Sequence, residues 1–208
     1  LPIVPDIPGV HLDKVFALHG LQHAEGIKAE LAEGGAKDIT IVGGGLIGVE
    51  MTESLVAAGC RVTLVEMRSQ LLPNILDWEM ADLLRRHFES KGVRVLLNTK
   101  VTGFEGDGRV QRVVTEESVF PADMVIMGVG VRPNVELAED AGIELGPTGA
   151  IKVDEHMRTS DADIFAVGDC AENTDMVTGE ACYVPLGSTA AKQGRVAAVN
   201  ICGGDDTF

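Results

Sequence analysis

Between residues 38 and 50 the chain reads Asp-Ile-Thr-Ile-Val-Gly-Gly-Gly-Leu-Ile-Gly-Val-Glu, an apolar run that breaks into glycines and resumes as a helix. Residues 39–42 are β-branched and uninterrupted by charge, which predicts a buried strand. Gly43-x-Gly45-x-x-Gly48 then fits the dinucleotide fingerprint: Gly43 for the tight turn, Gly45 for backbone contact with a pyrophosphate, and Gly48 for close packing of helix on strand. A helix from Leu46 to about Ala58, stopped at Gly59, would aim its free amides, those of Leu46 and Ile47 first, at that phosphate. In a chain with 25 glycines the spacing alone is weak. Its context adds weight, because a second strand over 59–66 ends on Glu66, 18 residues beyond Gly48. There an acid accepts hydrogen bonds from an adenosine ribose. An ordinary βαβ turn without a ligand is the alternative reading of the same residues.

With 208 residues, 45% of them hydrophobic, the chain can bury one large core or two small ones. A formal charge of -15 argues against nucleic acid, whose surface needs clustered Lys and Arg. No window approaches the ~20 apolar residues that span a bilayer, and the first residues lack the basic start and apolar centre of a signal peptide. A soluble cytoplasmic protein is expected. Cys60, Cys170, Cys182 and Cys202 form no C-x-x-C pair, which suggests reduced thiols rather than a redox dithiol or a zinc site. His19 and His23 would share a helix face but have no third ligand nearby, so no metal is expected. The opening, with no initiator Met and prolines at 2, 5 and 8, reads as the interior of a longer polypeptide.

Along the chain, residues 1–12 read as extended and Pro-rich. An amphipathic helix follows over 20–34, ended by Gly34-Gly35. Residues 77–91 form a helix with Asp77 as N-cap and Gly92 as stop, and Trp78 near its start reads as a packing residue. A third strand at 93–97 completes β-α-β-α-β with short links, the pattern of a parallel sheet. The pattern then changes to short alternating strands at 101–105, 110–114 and 118–120, an antiparallel meander. Residues 123–127 return as a buried strand ending at Gly128-Val129-Gly130. Beyond it come a helix over 134–141, strands at 151–153 and 163–167, and a last helix from Ser188 or Thr189, either able to cap it, to Gly203-Gly204.

Several motifs occur in one order: the fingerprint with Val49-Glu50, the acid Glu66, Gly128-Val129-Gly130-Val131-Arg132-Pro133-Asn134, then residues 159–169 ending Phe165-Ala166-Val167-Gly168-Asp169, and last residues 185–195 beginning Pro185-Leu186-Gly187-Ser188-Thr189. Together they resemble the FAD-dependent pyridine nucleotide-disulfide oxidoreductases, with coenzyme A-disulfide reductases and NADH oxidases the nearest kin. The resemblance covers nearly the whole chain. It implies an α/β fold, a Rossmann-like three-layer NAD(P)-binding domain with parallel sheet and β-meander, inserted in an incomplete FAD-binding domain. Residues 1–35 would be the end of the first FAD segment and a linker helix, 36–130 the NAD(P) domain, and 131–208 the returning FAD segment. The first FAD fingerprint and the redox cysteine would lie upstream of Leu1, and a dimerisation domain downstream of Phe208.

On this resemblance Asp169 accepts from the flavin's ribityl hydroxyls beside Gly168, and the last helix aims its positive end, with Leu186 and Thr189, at the flavin pyrimidine ring. Asp169 could instead cap a turn. Glu50 resembles the glutamate near the nicotinamide, or is simply a first-turn acid favoured by the helix dipole. Gly128 and Gly130 would let the backbone approach the nicotinamide end, or would serve only a turn. The carboxylate of Glu66 should favour NADH over NADPH, although Arg68 could pair with a 2′-phosphate if Glu66 swings aside. No residue of the chain is expected as the catalytic nucleophile.

The implied activity is hydride transfer from NADH to flavin and onward to a cysteine disulfide, with a small-molecule disulfide as substrate and a homodimer as the assembled form. Alternatives are an NADH oxidase or peroxidase acting on oxygen species, a ferredoxin or rubredoxin reductase, and a nucleotide-binding module without catalysis.

Overall fold

In the computed structural model, which describes residues 1–32 and 36–208, the chain divides into two compact units, Pro2–Gly130 and Val131–Phe208 with Leu1. The first is built on a five-stranded parallel sheet of order β1-β8-β2-β3-β4, where β1 is Val15–Ala17, β2 Asp38–Val42, β3 Arg61–Val65, β4 Arg94–Leu96 and β8 Met124–Met127. Helix α1 (Gly20–Ala32) leads into β2, α2 (Leu46–Ala57) joins β2 to β3, and α3 (Trp78–Ser90) joins β3 to β4. The stop expected at Gly34-Gly35 lies outside the described residues. Between β4 and β8 runs the antiparallel meander β5 (Val101–Glu105), β6 (Arg112–Thr115) and β7 (Val119–Pro121).

Strand alternation divides the core between the two faces of the sheet. Ile39, Ile41, Leu64 and Ile126 face the helices with Leu55 of α2 and Phe88 of α3. Val65, Val125 and Met127 face the other way and pack with Phe104, Val113 and Phe120 of the meander. Helices, parallel sheet and meander are therefore three layers, with two apolar interfaces between them.

Two expectations for this unit are revised and one strand is added. Residues 1–12 are not simply extended: they turn at 8–11, where Phe104 donates to the Pro8 carbonyl at 2.8 Å and Val10 is buried in the meander core. Strand β1, unannounced by any periodicity, pairs in parallel with β8 as the sheet's edge. His19 precedes α1 instead of sharing its face with His23, and its backbone N–H donates to His23 Nδ1 at 3.1 Å, which supports a helix start. Residues 2–32, which the resemblance sets apart from 36–130, lie in the same compact unit.

The second unit holds α4 (Glu136–Asp140), a 3-10 turn at Gly168–Cys170, a hairpin of β9 (Asn173–Thr174) and β10 (Ala181–Cys182), and α5 (Gly187–Ile201). Its core is two small clusters, one around Ile143, Ile151, Ala166 and Ala171, the other around Met157, Val196 and Ala197. The strands expected at 151–153 and 163–167 are absent, because Ile151 and Phe165 make only single bridges, with Leu145 and Ala171 and with Arg158 respectively. A ladder needs successive pairings, and apolar composition does not supply a neighbour. Helix α5 begins at Gly187 with Leu186 at its N-cap, so Ser188 and Thr189 stand in its first turn and neither caps it. Among the described residues no helix is long and apolar enough to cross a membrane.

Ile126 is fully buried in β8 between β1 and β2, whereas Leu83 on α3 is 58% exposed. Ile126→Ala is expected to lower unfolding free energy by about 2–5 kcal/mol, and Leu83→Ala by less than about 0.5 kcal/mol. Urea denaturation followed by circular dichroism reads the difference, and equal losses would contradict this layer assignment.

Candidate functional site

At the carboxyl ends of β2, β3 and β8 the parallel strands part and the chain crosses into α2. The Gly43 amide donates to the Val65 carbonyl at 2.8 Å, while the Val42 carbonyl accepts from Gly128 at 2.8 Å, so the end of β2 is tied to both neighbours. Gly43 has φ +108, and a Cβ on it would stand 2.4 Å from the Gly128 carbonyl oxygen. A Cβ on Gly48 would stand 1.9 Å from the Gly43 oxygen. Both glycines are thus demanded by the protein's own packing. Gly45 is different. It has φ -78 and ψ -171, which any residue adopts, and a Cβ there would meet nothing within 4 Å.

The open space lies at the N-terminus of α2. The first helical bond runs from Val49 N–H to the Gly45 carbonyl, and no side chain caps the end. The amides of Leu46 and Ile47 therefore have no intrahelical acceptor, and the positive end of the helix dipole is unopposed.

Glu66 faces this bend. It is 7% exposed, its Oε2 accepts the Gly44 N–H at 2.6 Å, and its Oε1 accepts the Arg68 N–H at 2.7 Å. Gly44, which the fingerprint leaves unspecified, is held from the other side as well: its carbonyl accepts from Leu72 at 2.8 Å, and a Cβ would strike Leu71 Cδ2 at 2.7 Å. Each carboxylate oxygen keeps one lone pair for a ligand hydroxyl. Swinging Glu66 aside would strand two amides, the buried one costing about 1–3 kcal/mol. The exposed Arg68 side chain therefore meets any ligand with Glu66 still in place.

Gly128 packs against Ile47, and Gly130 is exposed with φ +116, its carbonyl accepting from Ile3 at 2.9 Å. The structure thus brings together Gly43, Gly45, Leu46, Ile47, Gly48, Glu66 and Gly128. Glu50 is exposed and lies beyond the first turn of α2, which corrects its reading as a first-turn acid. Trp78 is 65% exposed and borders a cleft of about 270 Å³ with Arg85 and Leu97, a correction to its reading as a packing residue. It stands at the first residue of α3, and the buried face of that helix is carried by Ala81 and Phe88.

In the second unit Gly168 and Asp169 form a 3-10 turn against α5, rather than the end of a strand. A Cβ on Gly168 (φ +75) would lie 3.2 Å from Ala190 Cβ, so turn and helix are in close contact. Asp169 is exposed, and its carbonyl accepts from the Tyr183 hydroxyl at 2.9 Å. Burial pushes the Tyr183 phenol up and the charge of Asp169 adds to the shift, keeping it a donor. Helix α5 begins without a side-chain cap, its first bond running from Ala190 to the Leu186 carbonyl. The amides of Gly187, Ser188 and Thr189 are therefore open to an acceptor.

All four cysteines are free. Burial pushes the Cys182 thiol up, and the charges of Asp175 and Glu172 push it further, the opposite of an activated thiolate. Cys170 donates to the Val167 carbonyl at 3.3 Å. Among the described residues no cluster of His, Cys, Asp and Glu could hold a metal ion.

A side-chain-free crease beside uncapped helical amides and a fixed carboxylate fits a dinucleotide, and an exposed Asp beside a second uncapped helix fits a flavin. A profile of the pyridine nucleotide-disulphide oxidoreductases matches residues 1–194. The chain belongs to that family. Among curated relatives it is 41% identical over 207 residues to an NADH oxidase of Methanocaldococcus jannaschii, covering 100% of this chain and 46% of the relative. It is 39% identical to a CoA-dependent NAD(P)H sulfur oxidoreductase of Pyrococcus abyssi, with 100% and 46% covered. Among solved structures, an NAD-dependent persulfide reductase from A. fulgidus superposes with a TM-score of 0.95 at 43% identity, over 100% of this chain and 38% of that one. The chain thus spans less than half the length of these curated relatives.

Gly45→Ala is expected to leave the unfolding midpoint unchanged within about 0.5 kcal/mol while weakening NADH binding at least roughly tenfold. Gly48→Ala should instead destabilise the unit itself. Thermal melts paired with calorimetric titration separate the two, and an alanine at 45 that binds NADH normally would remove the phosphate from this bend.

Proposed function

We propose that the intact protein is an NADH-dependent flavoprotein oxidoreductase, with Pro2–Gly130 binding NADH and Val131–Phe208 contributing to an FAD site. The observation that carries the reading is the open position at Gly45. It is the one fingerprint glycine of the three that the fold does not itself require.

In this reading the amides of Leu46 and Ile47 hold the diphosphate, and the fixed carboxylate of Glu66 accepts from the ribose hydroxyls. Because Glu66 is anchored by two backbone donors, a 2′-phosphate would stand against a charge that cannot move away. NADH is therefore the preferred nucleotide, and NADPH a weaker one. Asp169 holds the flavin's ribityl chain, while the open amides of α5 favour negative charge on the neighbouring ring. When bound, the two cofactors supply hydride transfer and two-electron storage.

The electrons would pass to a sulfur–sulfur bond, a disulfide or persulfide of a small thiol, through the cysteine that the family resemblance implies upstream of Leu1. The sulfur and persulfide reductases among the relatives support this acceptor. The relative named NADH oxidase supports oxygen as a second acceptor on the same architecture. A cytoplasmic homodimer is the form the family resemblance supports.

The intact protein is expected to oxidise NADH with coenzyme A disulfide faster than with oxygen alone. Its KM for NADH should lie at least roughly tenfold below that for NADPH, a difference of about 1.4 kcal/mol. Equal rates with and without the disulfide would move the assignment to the oxidase, and equal KM values would contradict the role given to Glu66.

A further inference from the structure

Gln193 lies on α5 and is fully buried, an unusual place for a primary amide. Its Oε1 accepts the Gly168 N–H at 2.7 Å, and its Nε2 donates to Asn173 Oδ1 at 2.8 Å. The orientations are set by chemistry: a backbone N–H can only donate, so the Gln193 oxygen must face Gly168 and its nitrogen must face an oxygen. That leaves Asn173 Nδ2 as a buried donor with no partner. An apolar side chain at 193 would strand the Gly168 N–H and the Asn173 oxygen as well, so the buried amide is tied to the turn and does more than fill space.

The network ends on the backbone that presents Asp169. Gly168 is tied to Gln193 through its amide, Asp169 is tied to Tyr183 through its carbonyl, and Gly168 approaches Ala190, one turn before Gln193 on α5, too closely for a larger contact. Both backbone sides of Asp169 are thus fixed while its side chain stays exposed. The same helix supplies the open amides of Gly187, Ser188 and Thr189 and, further along, the tie to the turn.

We infer that Gln193 is a positioning residue for the flavin site, its buried amide setting where the Asp169 carboxylate stands relative to the N-terminus of α5. The inference rests on the flavin reading of Asp169 proposed above. Gln193 touches no cofactor in this role. It acts through Gly168, and its effect on flavin affinity should exist only while Asp169 is present.

A double-mutant cycle on the intact apoprotein, titrated with FAD and read by flavin fluorescence, tests this. Q193M is expected to weaken FAD binding about tenfold, the size of one buried hydrogen bond lost, and to add less than about twofold in a D169A background. Q193E keeps the acceptor for Gly168, and a turned Asn173 amide can donate its unmet N–H to the second oxygen. It is expected to bind FAD within about threefold of the parent, and it serves if Q193M does not fold. Equal weakening by Q193M in both backgrounds would make the amide a core residue only and overturn the inference, as would tenfold weakening by Q193E irrespective of Asp169. If D169A alone leaves FAD affinity unchanged, the flavin reading of Asp169 itself has failed.

Discussion

One buried contact, the Glu66 carboxylate on the Gly44 amide at 2.6 Å, joins the glycine bend to the end of β3. Without it the glycine bend and the end of β3 would be separate features of an ordinary βαβ unit. With it, in the proposed reading, a single side chain brings the charge that would read a ribose to the backbone that would read a phosphate. Its second oxygen, on the Arg68 amide, carries the constraint into the loop that leads to α3. The parallel register of β2 with β3, from Asp38 opposite Arg61 to Val42 opposite Val65, brings Glu66 level with the bend. That register is itself held by the split of alternate residues between the helical and meander faces, because a slip of one residue would invert every side chain.

The second unit answers a similar requirement with different materials. Its apolar clusters are small, and it places Asp169 by a tight 3-10 turn, a close approach to Ala190 and a buried amide network. In both units the glycines that touch neighbouring backbone or side chains belong to the fold, while the starts of α2 and α5 carry no side-chain cap. The distinction between a glycine needed by packing and a glycine left open is what turns a common motif into a specific chemical claim.

Much of this was legible in residue order, because the signals were local. The β-branched run at 39–42, the alternating strand at 61–65, the glycines at 43, 45 and 48, and the acid at 66 each act within a few residues of themselves, and the layers follow from alternation. What was not legible depends on partners distant in sequence. Val15–Ala17 is a strand only because β8 lies beside it, and residues 163–167 are not one because only Arg158 bridges to them. Gly44 looks interchangeable until Leu71 and Glu66 are seen closing over it. Gln193 is buried by partners distant in sequence, and nothing in its neighbours along the chain reveals Gly168 and Asn173 around it. Trp78 is exposed because it stands at the first residue of α3, whose buried face is carried by Ala81 and Phe88.

The central claim is that the backbone amides at the start of α2, with Glu66, grip a dinucleotide. Amide hydrogen exchange on the intact protein, with and without saturating NADH, measures those amides directly. The account predicts slowed exchange concentrated at residues 44–48 and 66–68 and little change across the meander strands. Unchanged exchange at 44–48 under saturating NADH would contradict it.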